Sequence, residues 1–330
     1  MTLVYAGIDE AGYGPMFGPF VVARSVFVVD EDGATIDREQ GPGSLWTMLK
    51  SAVCRKGSDK RKRIAVNDSK KLYTPAAGLA HLERAVLSFA HAAGHEIATL
   101  DDLLATVGMG DDSRVPQLLW YHDDAGGPGL PSCHTPAELS IARSMLSRHA
   151  DRAAVRCAEL AAAVVYEDRF NQIIAQTRSK ASCAWTFVSQ HLWHIWQQFG
   201  HHHPWVAVDR QGGRRVYHHL LQLIFEGAEL RLLDESDDVS RYVIRRGDRA
   251  MTLSFETKCD ANHLPVALAS MTAKYTRELL MHRFNAFWRQ HQPDLAPTAG
   301  YVQDGRRFLA EIDRLIDRLG IDRATLIRTA

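Results

Sequence analysis

Apolar positions along this chain fall into short dense runs and longer helical repeats. Residues 3 to 9 and 19 to 29 are Val- and Phe-rich runs parted by the Gly/Pro turn that begins at Gly12, a pattern that predicts two neighbouring strands. Thr74 before Pro75 gives an N-cap and first-turn signature, and AAGLAHLERAVLSFAHAAG continues as an amphipathic helix to about Gly94. The helical pattern returns from 137 through ELSIARSMLSRHADRAAVRCAELAAAV and again over roughly 181 to 199. WVAVD at 205 to 209 is a continuous apolar run, the kind buried on both faces of a mixed or parallel sheet. Residues 228 to 258 alternate as strands with RRGDR as a hairpin turn, and a long helix is expected over about 265 to 290. Between 101 and 136 the pattern is least regular, and GMGDD and DDAGGPGLPSC favour an exposed insertion.

Acids close three of these runs: Asp9 with Glu10, Asp209, and Asp260. Polar groups at strand ends meet in a common crevice, where ligands bind. Carboxylates converging there repel one another and take up protons unless a cation holds them, and an all-oxygen donor set suits Mg²⁺ or Mn²⁺ rather than zinc. Two such ions about 4 Å apart can activate water and stabilise the leaving oxygen of a phosphodiester. Consecutive strand side chains point to opposite faces, so Asp9 and Glu10 are expected to share a site by leaving regular geometry, with Gly12 and Gly14 permitting the turn and Pro15 ending the ladder.

Composition narrows the setting. With 330 residues and 46% hydrophobic content the chain can bury one large core with insertions or two small ones. Five cysteines without a Cys-x-x-Cys pair suit a reducing compartment, and the cytosol is the expected location. No basic leader precedes an apolar stretch, and FGPFVVARSVFVV is interrupted by Arg24, so no membrane insertion is expected. With 39 basic and 39 acidic side chains the whole-protein field gives no argument for nucleic acid. The densest local patch is RKGSDKRKR at 55 to 63, six cations against Asp59, which by itself reads as a solvated loop. HHHP at 201 to 204 and the His191/His194 pair lack the cysteines or His-Glu-x-x-His spacing of a zinc site. The G-x-G of GMGDD has no strand before it and no helix after it.

Five segments taken together say more. GIDEAGYGP, NDSKKLYTP, VAVD, CDANHLPVALASMTAKYTRE and AGY at 299 to 301 resemble the ribonuclease HII family, in that family's order, with Asp260 ten residues before Ser270. The resemblance implies an α/β fold: an RNase H-like mixed sheet flanked by helices, with a C-terminal helical portion. It divides the chain into a catalytic domain over 1–290, with insertions at about 30–65, 101–160 and 226–250, and a helical extension over 291–330 packed on it.

The implied activity is endonucleolytic hydrolysis of the RNA strand of RNA/DNA hybrids with Mg²⁺ or Mn²⁺, leaving 5′-phosphate and 3′-hydroxyl ends, with no obligate protein partner. Carried over, Asp9, Glu10, Asp209 and Asp260 are catalytic metal ligands with Asp9 central. The Gly12 to Gly14 backbone, with Tyr13 between, meets 2′-hydroxyls, Lys71, Ser270 and Lys274 hold phosphates, and Tyr301 stacks on a sugar. In the helix over 265 to 290, Ser270, Lys274 and Arg277 share one face, which without a ligand would be a solvated one. Two departures stand out: Tyr13 occupies the place of a usual arginine, and Val302-Gln303 replaces the residues that usually follow Gly-Tyr. Alternatives are a metal nuclease of altered specificity, cutting DNA or structured RNA, or a nucleic-acid-binding module that keeps the cleft without turnover.

Overall fold

Continuous apolar runs make strands that are covered on both sides, and the first two strands show it. In the computed structural model, which describes residues 2–30, 41–74, 76–109, 118–122, 126 and 128–329, β1 (Thr2–Ala11) and β2 (Phe20–Asp30) pair antiparallel along their whole length. Leu3 and Tyr5 of β1 enter one core, while Val4, Ala6 and Ile8 enter another on the opposite face. β3 (Val53–Cys54) and β4 (Ile64–Ala65) form a separate parallel pair. The remaining strands, β5 (Val155–Val165), β6 (Trp205–Asp209), β7 (Glu229–Glu235), β8 (Val239–Arg246) and β9 (Arg249–Glu256), complete a seven-stranded sheet in the order β5-β2-β1-β6-β9-β8-β7. β6 runs parallel to β1 and β9, and the other pairs are antiparallel.

Helices cover both faces. α1 (Leu45–Met48), α2 (Ser69–Leu72), α3 (Ala80–Ala92), α4 (Leu100–Val107) and α5 (Pro136–Arg152) lie on the face of Leu3 and Tyr5. The opposite face carries α6 (Glu167–Thr177), α7 (Lys180–Phe199) and α8 (His218–Ile224). After β9 come α9 (Cys259–Asn262), α10 (Leu264–His291), α11 (Val302–Leu319) and α12 (Arg323–Leu326), and α10 is the buried axis of the first core. Phe308 of α11 meets Phe17 and Phe284 at ring-centroid distances of 5.7 Å, which seats the last segment on that core. Among the described residues no helix is long and apolar enough to cross a membrane, and all five cysteines are free.

Three expectations about local structure are corrected. Residues 155 to 165 form a strand, where the Ala-rich sequence predicted a continued helix. α5 stops at Arg152, Ala154 takes a left-handed φ of 50°, and the open edge of β2 supplies the hydrogen bonds that override alanine's helix propensity. α3 begins at Ala80 instead of after Thr74, because a turn through Gly78 (φ 52°) intervenes; Pro75 lies outside the described residues. The stretch 101 to 136 is partly core: it includes most of α4, and Trp120 and Tyr121 are buried beside Phe284, while residues 110–117, 123–125 and 127 lie outside the description. Apolar anchors inside a Gly- and Asp-rich stretch outweigh its loop-like composition.

Backbone contact between α10 and β1 sets the position of everything downstream. A Cβ added to Gly7 would lie 2.2 Å from the Val266 nitrogen and 2.3 Å from the Pro265 carbonyl carbon, so only glycine lets the helix come this close. The Ser25 hydroxyl donates to the Pro265 carbonyl at 2.8 Å and holds the same end. Gly7→Ala should therefore destabilise the fold by about 1–3 kcal/mol. Urea denaturation checks it; an unchanged midpoint would mean that the helix does not rest on β1 here.

Candidate active site

Pairing between β1 and β6 ends at Ile8↔Val208, so Asp9, Glu10 and Asp209 stand where the parallel centre of the sheet runs out. α9 begins just past the end of neighbouring β9 and carries Asp260 in its first turn. These four acids border one cleft of about 350 Å³, together with Gly12, Tyr13, Gly14, Ser270, Lys274 and Tyr301. Asp68, which caps α2 by accepting from the Lys70 amide at 2.8 Å, is a fifth carboxylate on its wall.

The expected break in strand geometry at Asp9-Glu10 is absent: β1 stays paired with β2 to Ala11↔Val21. The two side chains do point to opposite faces, and they share a cleft because it wraps around the end of the sheet. Asp9, on the α10 side, accepts from the Glu10 amide at 2.7 Å and from the Ser270 hydroxyl, which in turn meets the Ser69 hydroxyl at 3.0 Å. Ser270 thus serves Asp9 first. On the other side Glu10 accepts from the Gln211 amide at 3.3 Å.

Electrostatics mark the cluster as one that wants a cation. Burial pushes the Asp9 carboxyl well above its ordinary range, and the Asp209 charge adds to that. Glu10 is raised to about 7 by burial, with Asp209 contributing, and Asp209 to about 6 by burial and the charges of Asp260 and Asp68. Asp260 is raised by burial and by Asp68. Asp209 is the carboxylate in electrostatic contact with all three of the others. The donor atoms are all oxygen, without an imidazole or thiolate among them, which fits a hard divalent ion.

A tighter group lies next door. Glu256, Cys259 and His263 place their potential ligand atoms within 4.8 Å of one another, closer than the four acids stand. Hydrogen bonds already use two of them: Glu256 is joined to His263 at 2.9 Å and to the Ser254 hydroxyl at 2.6 Å, and His263 Nδ1 meets the Tyr5 hydroxyl at 2.6 Å. The Cys259 amide donates to Asp209 at 3.2 Å, so this network braces the acid beside it. Glu256, Cys259 and His263 fall within eight residues at the end of β9, in α9 and at the cap of α10, in no familiar metal-site spacing, and Tyr5 joins them from β1, so sequence reasoning missed the group.

Among the expected phosphate contacts one is displaced. Lys71, whose side chain is 59% exposed, leans toward Asp68 at 4.0 Å and is not on the cleft wall, although its charge reaches Asp260. Of the two neighbouring lysines, Lys70 is the one on the wall. The four-residue helix α2 turns successive lysines in different directions. Lys274 borders the cleft with its ammonium on Glu278 at 2.7 Å and over the Tyr73 ring. Arg277 is fully buried, so the face it shares with Ser270 and Lys274 is not a solvated one. Tyr301 is half exposed at the cleft.

Two buried arginines hold the glycine turn from behind. Arg277 donates to the Phe17 and Ala299 carbonyls, each at 3.1 Å, and a Cβ at Gly12 would lie 2.6 Å from its side chain. Gly12 accordingly takes a φ of 83°. Arg328 donates to the Gly12 carbonyl, to Tyr13 at 2.7 Å and to Gly18 at 3.4 Å, with its guanidinium 4.0 Å from the Phe170 ring centroid. Because a trans peptide is planar, carbonyls of Gly12 and Tyr13 drawn to Arg328 turn the amides of Tyr13 and Gly14 the opposite way. Glu167, also fully buried, accepts from the Gly18 amide at 2.9 Å. No sequence motif announced Arg328 or Glu167.

No family model matches the chain. It is similar to ribonuclease HII of Anaeromyxobacter sp. (strain Fw109-5), 30% identical over 131 residues, which is 38% of this chain and 38% of that protein. The match therefore spans less than half the length of the curated relative. Among solved structures, similar chains occur in the PCNA:RNase HII complex from Archaeoglobus fulgidus, 16% identical with a TM-score of 0.41 over 99% of this chain and 94% of that one. The ribonuclease H2 from Pyrococcus horikoshii OT3 is 15% identical with a TM-score of 0.41, over 98% of this chain and 92% of that one. Bst-RNase HIII in complex with Mn²⁺ is 13% identical with a TM-score of 0.42, over 99% and 66%.

A carboxyl with a raised folded pKa holds its proton longer in the folded state. Its favourable contribution is present at low pH and is lost as pH rises from about 4, its unfolded value, through about 6 for Asp209 and about 7 for Glu10. In chelator-treated protein at pH 8, Asp209→Asn should raise the thermal midpoint by about 2 °C or more, with the gain shrinking toward pH 5. Adding Mg²⁺ or Mn²⁺ should raise the wild-type midpoint more than that of the variant. A lower midpoint for the variant at pH 8 without metal would refute the repulsion. Arg328→Ala should cost about 3 kcal/mol in urea denaturation by orphaning buried carbonyls. Arg328→Lys should recover only part of that, since an ammonium cannot fork between them; full recovery would argue against the clamp.

Proposed function

We propose that this chain is a distant, longer member of the ribonuclease HII family that hydrolyses the RNA strand of RNA/DNA hybrids with Mg²⁺ or Mn²⁺. The observation that carries the reading is the convergence of Asp9, Glu10, Asp209 and Asp260, from three separate segments, on one cleft of oxygen donors. The name of the curated relative, ribonuclease HII, supports the substrate class.

Asp9, Glu10, Asp209 and Asp260 would hold the ions. Bound hard cations supply charge stabilisation at the phosphodiester and lower the pKa of attacking water. The chain's own groups do the rest. Lys70 sets a mobile positive charge at the wall for a phosphate. The amides of Tyr13 and Gly14, turned away from Arg328, offer fixed donors to a 2′-hydroxyl oxygen, the group that separates RNA from DNA. Ser270 keeps Asp9 oriented, Lys274 adds positive charge shared with Glu278, and the exposed Tyr301 ring offers an apolar face to a sugar. Tyr13, 36% exposed at the turn, favours a second reading in which specificity has shifted toward DNA or structured RNA.

The test is cleavage of an end-labelled RNA/DNA hybrid, a duplex with a single ribonucleotide, and plain DNA, each with Mg²⁺ or Mn²⁺. Wild type should cut the hybrid, and Asp9→Asn should slow it by at least roughly 100-fold, about 2.7 kcal/mol of barrier. Equal cutting by both proteins would assign the activity to a contaminant. Plain DNA cut as fast as hybrid would select the second reading, and metal-independent binding without cutting would select a non-catalytic module.

A further inference from the structure

The cleft by itself is a poor receptor for a polyanion. Five carboxylates, Asp9, Glu10, Asp68, Asp209 and Asp260, stand on its walls against Lys70 and Lys274, and the Lys274 ammonium is already bonded to Glu278. At about 350 Å³ it admits a nucleotide or so and no duplex. Net charge is zero, so no general field compensates. Affinity for a duplex has to come from cations beside the cleft.

The loop between β3 and β4 supplies them. Its one acid, Asp59, is taken by Arg63, which donates to it from the backbone at 3.0 Å and from the guanidinium at 3.2 and 2.7 Å. Lys56, Lys60, Arg61 and Lys62 are left exposed, and none of the four is in an ion pair among the described residues. The loop is also held in place. Arg55 lies 3.5 Å over the Trp46 ring and donates to the Ala261 carbonyl, one residue past Asp260. Asn67, beside Asp68, donates to the Arg55 carbonyl at 2.9 Å, and Arg84 of α3 donates to the Lys62 carbonyl at 2.6 Å.

We infer that the β3–β4 loop is a docking surface for the phosphate backbone of a nucleic-acid duplex, continuing the cleft on its Asp260 and Asp68 side. The inference rests on the nucleic-acid reading of the cleft. RKGSDKRKR contains no aromatic residue on which a base could stack, so its contacts are point charges on phosphates, blind to sugar and sequence. A ridge of this kind holds a DNA duplex and an RNA/DNA hybrid alike and leaves discrimination to the glycine turn.

Fluorescence anisotropy of the full chain, in chelator so that nothing is cut, tests it with a labelled hybrid and a DNA duplex of the same sequence across 50 to 200 mM salt. Lys56→Gln/Lys60→Gln/Arg61→Gln should reduce the slope of log K against log[salt] by about 2–3, since each lost phosphate contact removes roughly 0.9. The loss of affinity should be about 16- to 64-fold greater at 50 mM than at 200 mM salt, equally for both duplexes. Lys62 is left in place because its φ of 54° makes a substitution there ambiguous. Arg148→Gln/Arg152→Gln/Arg156→Gln, an equal charge loss at the C-terminal end of α5 and the start of β5, should leave the slope unchanged. An unaltered slope in the loop variant, an equal loss in the control, or an effect on the hybrid alone would overturn the inference. If the slope changes as expected but no hybrid is cut with Mg²⁺ or Mn²⁺, the docking surface stands and the nuclease reading fails. If hybrid is cut and the slope does not move, only the docking surface fails.

Discussion

Mutual repulsion among carboxylates held at the end of one sheet is the constraint around which this molecule is built. Glu10 held at about 7 and Asp209 at about 6 would relieve it by protonation or by swinging outward into water. Swinging is resisted because none of the four sits on a long loop: two are on paired residues of β1, one ends β6, and one is in the short helix that follows β9. The close seat of α10 on Gly7 brings Ser270 to Asp9, and the Cys259 amide holds Asp209. Like charges stay together because the framework leaves them little else to do.

The glycine turn beside these acids is held with comparable firmness, at the cost of burying charge. Arg277, Arg328 and Glu167 are all buried, and burial pushes Glu167 up to about 7 and Arg328 down to about 10. Replacing such groups by apolar ones is often neutral for stability, so stability alone does not account for them. What they do is geometric: each grips a main-chain group of the Gly12 to Gly18 turn or of the adjoining 299 to 300 segment. Gly300 closes the same knot by accepting from the Met16 amide at 2.8 Å, and a Cβ there would meet the Phe17 carbonyl oxygen at 2.3 Å. Segments distant in the sequence thus fix the conformation of one short turn.

Much of this is legible in the order of the amino acids alone, and the parts that are not share a cause. Strand ends carrying acids are local patterns, so Asp9, Glu10, Asp209 and Asp260 are visible as candidates, as are β1, β2, β6 and α10 within one or two residues. β5 is hidden because alanine's local preference speaks for helix, while its strand depends on the free edge of β2, more than a hundred residues away. Trp120 and Tyr121 are hidden by the glycines around them. Lys70 and Lys71 are indistinguishable as letters, and only the short α2 decides which one faces the acids. Arg328 and Glu167 act on the backbone of a distant turn and leave no motif.

Charge placement gives the neutral composition its meaning. A chain with 39 basic and 39 acidic side chains could pair them all, but here five carboxylates gather in one cleft while four exposed cations, besides the anchoring Arg55, stand on one loop. At about 0.1 M salt, fields between exposed charges fade over about 10 Å, so what matters to an approaching polyanion is the sign of the nearest surface and not the total. On the proposed reading the acidic cleft would turn it away until cations enter, whereas the basic loop would attract it throughout. On that same reading, docking and insertion would answer to different ions: monovalent salt would weaken the first by screening phosphate contacts, and divalent metal would enable the second by reversing the sign of the cleft.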